Sequence, residues 1–74
     1  MSSQLRPLPD DFQPDFTDGP DNTFVCKHDD GDFHFEILLH KGRTQEDADL
    51  WKLTARNACW QAKECHRLGI KLKV

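Results

Sequence analysis

Residues 23–40 read TFVCKHDDGDFHFEILLH, two alternating segments joined by the acidic run Asp29–Asp32. An Asp-Gly pair between segments of alternating apolar residues is typical of a β-hairpin with a two-residue type I′ turn. With Asp30-Gly31 as that turn, the sequence predicts strands over Thr23–His28 and Phe33–His40. The predicted cross-strand pairs are His28 with Phe33, Cys26 with Phe35, and Phe24 with Ile37. Because side chains alternate along a strand, all six share one face, which we expect to line the core.

A long helix is predicted after the hairpin. Thr44 has the position of an N-cap, with Asp47 three residues later to complete a capping box, and Gly69 has the position of a C′ glycine. Between these ends, Gln45–Leu68 contains neither glycine nor proline. Apolar residues then alternate with lysines over Ile70–Val74, and this pattern predicts a third strand.

The first 22 residues differ in composition from the rest of the chain. They hold all four prolines, five aspartates and four large apolar side chains, Leu5, Leu8, Phe12 and Phe16. Proline removes hydrogen-bond donors, and so few apolar groups offset little of the entropy cost of ordering. We therefore expect a flexible or disordered, acidic and proline-rich arm over residues 1–22. The expected fold class is α+β, a small β-β-α-β domain over residues 23–74 in which one long helix packs on a three-stranded sheet.

The predicted helix carries apolar residues on two sides. At about 100° per residue, one stripe suited to packing on the sheet contains Ala48, Trp51, Ala55, Ala58, Cys59, Ala62 and Cys65. A second stripe, on nearly the opposite side, contains Leu50, Leu53, Trp60 and Leu68. One sheet covers one side of a helix, so the second stripe needs another neighbour. Three explanations stay open: the segment Leu5–Phe16 folds back over it, it forms the interface with a partner or in a homodimer, centred on Trp60, or its leucines are exposed without a contact role.

Charge is unevenly distributed along the chain. The net charge of −3 combines −6 over residues 1–32 with +3 over residues 33–74. Four bases cluster between the two helix stripes, Lys52, Arg56, Lys63 and Arg67. Together with Trp60 they are candidates for contact with an acidic protein surface or with nucleic-acid phosphates. The alternative is a solvated helix face on which Asp49 and Glu64 pair with these bases. In the arm, acidic residues are interleaved with aromatic residues that are candidate anchors on a basic groove, Asp10, Asp11, Phe12, Asp15 and Phe16.

The sequence contains no motif typical of a catalytic, cofactor or calcium site, and we predict no enzyme activity, cofactor or metal. Cys59 and His66 lie about 10 Å apart along the helix, too far to share one zinc ion. A site formed by Cys26, His28 and one helical ligand is the remaining metal alternative. The odd cysteine count argues against a disulfide scaffold, and no apolar run of about 18 residues is present. We therefore expect a cytoplasmic protein without a membrane span.

These features predict a non-enzymatic protein-interaction module. The β-β-α-β layout and dipolar charge resemble those of small phage and mobile-element proteins that bind and inhibit host nucleic-acid-handling enzymes, including anti-CRISPR proteins and inhibitors of polymerases or nucleases. The resemblance, one of layout and size, implies a protein partner of that kind. The alternative is a small nucleic-acid-binding protein that uses the four helix bases with Trp60.

Overall fold

The computed structural model describes residues 5–69. Its elements are three strands, β1 (Asp15–Asp18), β2 (Thr23–Asp29) and β3 (His34–His40), followed by the helix α1 (Gln45–Arg67). The strands form one antiparallel sheet in the order β1-β2-β3, and α1 packs across one face of it. The predicted fold class, α+β with one long helix on a three-stranded sheet, is confirmed.

The third strand of the sheet comes from a part of the chain where the sequence does not predict one. β1 lies in the arm and pairs antiparallel with β2. The Phe16 ring packs edge-on against the Phe24 ring, with 5.7 Å between centroids. The strand predicted over Ile70–Val74 lies outside the described residues. Residues 5–22 of the arm pack on the domain, because Phe12 and Phe16 have apolar partners there, and this corrects the prediction of a flexible arm for these residues.

The β2–β3 hairpin is present, with a pairing two residues away from the predicted one. The observed pairs are His28 with Phe35, Cys26 with Ile37, and Phe24 with Leu39. The two-residue turn is Gly31-Asp32, and Gly31 adopts a φ of 95°, as the first position of a type II′ turn requires. The Asp30 carboxylate stabilises this turn by accepting a hydrogen bond from the Phe33 amide at 2.9 Å. A slip of two residues keeps every side chain on its face, so the predicted core face is right and the predicted pairs are wrong.

Both ends of α1 lie where the sequence predicts them. The Thr44 hydroxyl accepts a hydrogen bond from the Asp47 amide at 3.1 Å, and the Asp47 carboxylate accepts one from the Thr44 amide at 3.3 Å, which completes the capping box. At the other end, Gly69 follows the C-cap residue Leu68 with a φ of 74°, the left-handed conformation of a C′ glycine. α1 has 23 residues and is about 35 Å long, whereas the seven residues of β2 span about 23 Å, so the sheet covers only part of the helix.

The core lies between the sheet and α1 and continues onto the arm. Its least exposed side chains, each at most 2% exposed, are Phe24, Cys26, Ala55 and Cys59. Trp60, expected on the outer side of the helix, is 9% exposed and packs in the core with Phe12. Trp51 and Ala58, expected in the core, are exposed, Trp51 by 43%. The predicted core stripe is therefore partly wrong, because the arm packs on a second flank of α1 and draws Trp60 inward.

Candidate functional site

The N-terminal segment, residues 5–12, lies along α1 and runs antiparallel to it. Arg6 contacts Glu64 near the C-terminal end of the helix, and Pro9 contacts Arg56 about two turns earlier. A proline fixes its own φ and disfavours helical backbone in the residue before it, so Pro7 and Pro9 favour extended backbone over residues 6–9. A turn at Asp10 and Asp11 follows, in which the Phe12 amide donates to the Pro9 carbonyl at 3.3 Å. The helix therefore contacts a segment that is extended up to Pro9 and then turns, so that the Phe12 ring faces Trp60.

Phe12 and Trp60 form the apolar contact between the N-terminal segment and the helix. Their rings pack edge-on with centroids 5.0 Å apart, and each side chain is 9% exposed. Both are candidate partner contacts from the sequence, and the structure places both in the core instead. Of the three explanations for the second helix stripe, the folded-back arm is the one that applies to Trp60.

Glu64 is the centre of the polar contact between the segment and the helix. Its carboxylate accepts hydrogen bonds from the Arg6 amide at 2.8 Å, from the Arg6 guanidinium at 2.6 to 3.1 Å, and from the Arg67 guanidinium at 3.0 and 3.1 Å. These two guanidinium groups hold the pKa of Glu64 far below its usual range. The Glu64 side chain has no exposed surface, while those of Arg6 and Arg67 are 55% and 42% exposed. The carboxylate is thus enclosed by the two arginines near the surface and does not lie in the deep core.

Two further helix side chains hold the N-terminal segment by its main chain. The Trp60 indole N–H donates to the Arg6 carbonyl at 2.9 Å. The Arg56 guanidinium donates to three carbonyls of the segment, two at 2.7 Å and one at 3.2 Å. Arg56, Trp60 and Glu64 follow each other at intervals of four residues, so they form one row along α1. Sequence reasoning missed this row because it assigned Arg56 and Trp60 to different stripes and considered Glu64 only as a partner of bases on the same helix.

The four candidate bases of α1 are engaged within the chain. Two of them, Arg56 and Arg67, have the contacts described above. Lys63 pairs with Asp30 of the hairpin at 2.8 Å, and its hydrogen bond holds the pKa of that carboxyl below the ordinary value. Lys52 lies 5.8 Å from the centre of the Phe16 ring. The predicted basic stripe therefore ties the arm and the hairpin to the helix, and Phe16 serves as an internal contact.

The apolar surface that stays open on α1 lies on its N-terminal half. Leu50, Trp51 and Leu53 are 63%, 43% and 48% exposed, and we call these three residues the outer patch. A shallow groove of about 270 Å³ beside them is lined by Asp47, Leu50, Trp51 and Thr54. Of the predicted outer stripe, Leu50 and Leu53 are thus exposed, Trp60 is covered by the arm, and Leu68 is half-buried. Trp51 joins the site in place of Trp60.

Acidic side chains border the outer patch. We call the acidic rim a set of four exposed residues on the arm and the first turns of α1, Asp10, Asp11, Glu46 and Asp49. The Arg56 guanidinium donates to the Asp10 carbonyl at 3.2 Å, which places this part of the arm about one helical turn from Leu53. Asp15, the remaining acidic candidate, is exposed on β1. The open surface of α1 therefore combines apolar side chains with a negatively charged border.

The cysteines and histidines form no evident site in the described part of the chain. Within residues 5–69, no three His, Cys, Asp or Glu side chains come together in a group able to hold a metal ion, which gives no support to a site on Cys26 and His28. Burial raises the pKa of Cys26 and raises that of Cys59 to about 11. Both thiols therefore stay protonated at neutral pH and pack as small apolar groups.

Comparison of the chain with protein-family models, with curated proteins and with solved structures gave no match. The functional argument therefore depends on the surfaces of the chain itself. No helical sequence within residues 5–69 combines the length and the apolar character that a bilayer crossing needs.

Proposed function

We propose that this chain is a non-enzymatic protein-interaction module that binds a partner protein through the outer patch on α1. The observation that carries the proposal is the exposure of three large apolar side chains, Leu50, Trp51 and Leu53, on one half of a helix. Neighbouring large apolar side chains on the surface of a small protein mark contact sites. Tryptophan, in addition, is among the residues that contribute most to binding free energy.

The outer patch lies on a helix that the rest of the chain holds in place. The capping box at Thr44 fixes the first turn of α1, and Arg56 ties the next turns to the N-terminal segment. Side chains on a fixed backbone lose less conformational freedom on binding than those on a mobile loop. This arrangement supports a preformed contact surface.

The acidic rim supports a finer proposal about the partner. A surface with an apolar centre and a basic border would complement the outer patch and its four carboxylates, and complementary charge favours both encounter and selectivity. Enzymes that bind nucleic acids carry surfaces of this charge, so the chain would act as an inhibitor by covering one. An origin in a phage or mobile element stays a prediction from layout and size.

Nucleic-acid binding through the bases of α1 has less support. Arg56, Lys63 and Arg67 already pair with groups of the chain, and the acidic rim lies beside the same helix. Tight non-specific binding to nucleic acid requires several free bases in contact with phosphates. Protein binding is therefore the function that we retain.

Leu53→Asp is expected to weaken partner binding by at least about 30-fold, because a carboxylate placed in an apolar contact costs about 2 kcal/mol or more. Leu38→Asp is the matched control, since Leu38 is 59% exposed but lies on the sheet face that points away from α1. Both variants are expected to keep the wild-type free energy of unfolding within about 0.5 kcal/mol. The measurement is quantitative mass spectrometry of proteins that the tagged wild type and both variants capture from extracts of the source cells.

Proteins that bind the wild type and Leu38→Asp equally, and are lost from Leu53→Asp, would support the outer patch as the contact surface. Equal capture by all three chains would contradict it. A basic partner surface further predicts weaker capture by the double variant Asp10→Asn with Asp11→Asn and at about 0.5 M salt. If the mass of the complex is twice that of the chain, the partner is a second copy.

A further inference from the structure

The row Arg56, Trp60 and Glu64 on α1 has the chemistry of a site for proline-rich peptides, and we call it the arm groove. Extended proline-rich backbone makes no hydrogen bonds between its own peptide groups, so its carbonyls are free to accept them from a receptor. In the N-terminal segment this applies before Pro9, whose carbonyl also closes the turn to the Phe12 amide. Proteins that recognise such segments hold them in grooves lined with aromatic rings. The arm groove contains an indole ring, a guanidinium that donates to carbonyls, and an enclosed carboxylate that selects a basic side chain.

Most contacts in the arm groove are made to the main chain of the N-terminal segment. The Trp60 indole donates to the Arg6 carbonyl at 2.9 Å, and the Arg6 amide donates to Glu64 at 2.8 Å. The Arg56 guanidinium donates to the main-chain carbonyls of Pro9, Asp10 and Phe12, at 2.7, 3.2 and 2.7 Å. Any peptide with the same backbone conformation presents these groups, so the groove does not require this particular segment.

Two side chains of the segment supply the selectivity. The Arg6 guanidinium binds the Glu64 carboxylate and lies 5.5 Å from the centre of the Trp60 ring. The groove therefore favours a positively charged side chain at this position. Phe12 inserts its ring between Trp60 at 5.0 Å and His28 at 5.1 Å. The recognised order is therefore Arg-Pro-x-Pro with an aromatic residue three positions after the second proline.

We propose that the arm groove is a binding site for a proline-rich segment of a partner protein with this order of residues, and that residues 5–12 occupy it in cis as a competitor. The ligand class is inferred from the ion pair between Glu64 and Arg6, because an arginine at the same position of a partner segment would bind Glu64 in the same way. The Arg6 side chain is 55% exposed, so a ligand arginine can reach this position from solvent. The proposal is independent of the outer patch, which lies on the N-terminal half of α1 and contains none of the three residues of the arm groove.

The test uses a fluorescein-labelled peptide with the sequence of residues 5–14, LRPLPDDFQP, titrated with the full-length chain. In the variant Arg6→Glu, the new carboxylate is repelled by Glu64, which weakens the hold of the arm groove on the chain's own segment. We expect this variant to bind the peptide at least about tenfold more tightly than the wild type, because a short tether gives the wild-type segment an effective concentration in the millimolar range. A peptide with glutamate in place of its arginine is expected to bind neither chain.

Arg6→Ala is the second variant, used if circular dichroism shows that Arg6→Glu is unfolded. The proposal would be overturned if a variant bound LRPLPDDFQP and its glutamate version with equal affinity. It would also be overturned if a folded variant did not bind LRPLPDDFQP. The bound segment could come from a partner protein or from a second copy of the chain, and light scattering at the same concentrations distinguishes the two. A wild-type dimer that Arg6→Glu abolishes would assign the groove to the segment of a second copy and overturn the assignment to a partner protein.

Discussion

Trp60→Ala is expected to lower the free energy of unfolding by about 3–5 kcal/mol, the range observed when a buried aromatic side chain is removed. Trp60 is 9% exposed, packs against Phe12, and donates its indole N–H to the Arg6 carbonyl. The variant loses all of these contacts, so the N-terminal segment detaches along with part of the core. Urea denaturation followed by far-ultraviolet circular dichroism measures the loss, which is a large share of the stability of a domain this small.

Trp51→Ala is the matched control for this prediction. Trp51 is 43% exposed on the outer patch, so its replacement is expected to change the free energy of unfolding by no more than about 1 kcal/mol. The helical periodicity of the sequence alone predicts the opposite order, with Trp51 in the core and Trp60 outside. A larger loss for Trp51→Ala than for Trp60→Ala would therefore restore that order and contradict the structure.

Glu64→Gln is expected to lower the free energy of unfolding by about 2 kcal/mol. The amide cannot neutralise the guanidinium groups of Arg6 and Arg67, which both bind the carboxylate in the wild type. The cost stays below that of breaking a fully buried ion pair because both arginines are about half exposed and can be hydrated. Glu36→Gln, at an exposed acid on β3, is the control and is expected to change stability by less than about 0.5 kcal/mol.

The effect of Glu64→Gln depends on pH in a defined direction. Because the pKa of Glu64 is lower in the folded chain than in the unfolded chain, its stabilisation is complete at neutral pH. It decreases as the pH falls below the ordinary glutamate pKa of about 4.3, where the unfolded chain begins to bind the proton. The difference in unfolding free energy between wild type and variant is therefore expected to shrink between about pH 7 and about pH 3. A difference that stays constant over this range would show that the carboxylate charge does not hold the segment.

The parts of the fold that depend on residues close in sequence were predictable. The Asp-Gly pair at Asp30 indicates a hairpin, and period-two alternation assigns the side chains of both strands to the correct faces. The capping box at Thr44 and the glycine at Gly69 place both ends of the helix. The exact turn was not predictable from the Asp-Gly pair, because the Asp30 carboxylate binds the Phe33 amide and so selects Gly31-Asp32.

The docking of the arm was not predictable, because its contacts join residues far apart in sequence. Arg6 and Glu64 are separated by 58 positions, and Phe12 and Arg56 by 44. A composition rich in proline and aspartate is compatible both with a free arm and with an arm held by hydrogen bonds to its carbonyls, so composition does not distinguish the two. The deciding feature is on the helix, where Arg56, Trp60 and Glu64 form a row of donors and an acceptor that matches an extended chain.

This long-range contact also changes the candidate site. With the arm on one flank of α1, the bases predicted to meet a partner bind groups of the chain, and Trp60 is enclosed. Leu50 and Leu53, predicted as part of the outer stripe, stay exposed because the arm does not extend over them. Trp51 was assigned to the core because its position on the helical wheel fits the sheet side. The structure turns it to the outside instead.

The division of α1 into a covered side and an open side is tested most directly by hydrogen exchange at the two indole N–H groups. A ¹⁵N-labelled sample is transferred into D₂O and followed by ¹H–¹⁵N correlation spectra. The Trp60 indole signal is expected to persist, because its N–H is buried and donates to the Arg6 carbonyl, whereas the Trp51 signal is expected to disappear in the first spectrum. Immediate loss of both signals, or persistence of Trp51 alone, would contradict the docked arm and the open outer patch.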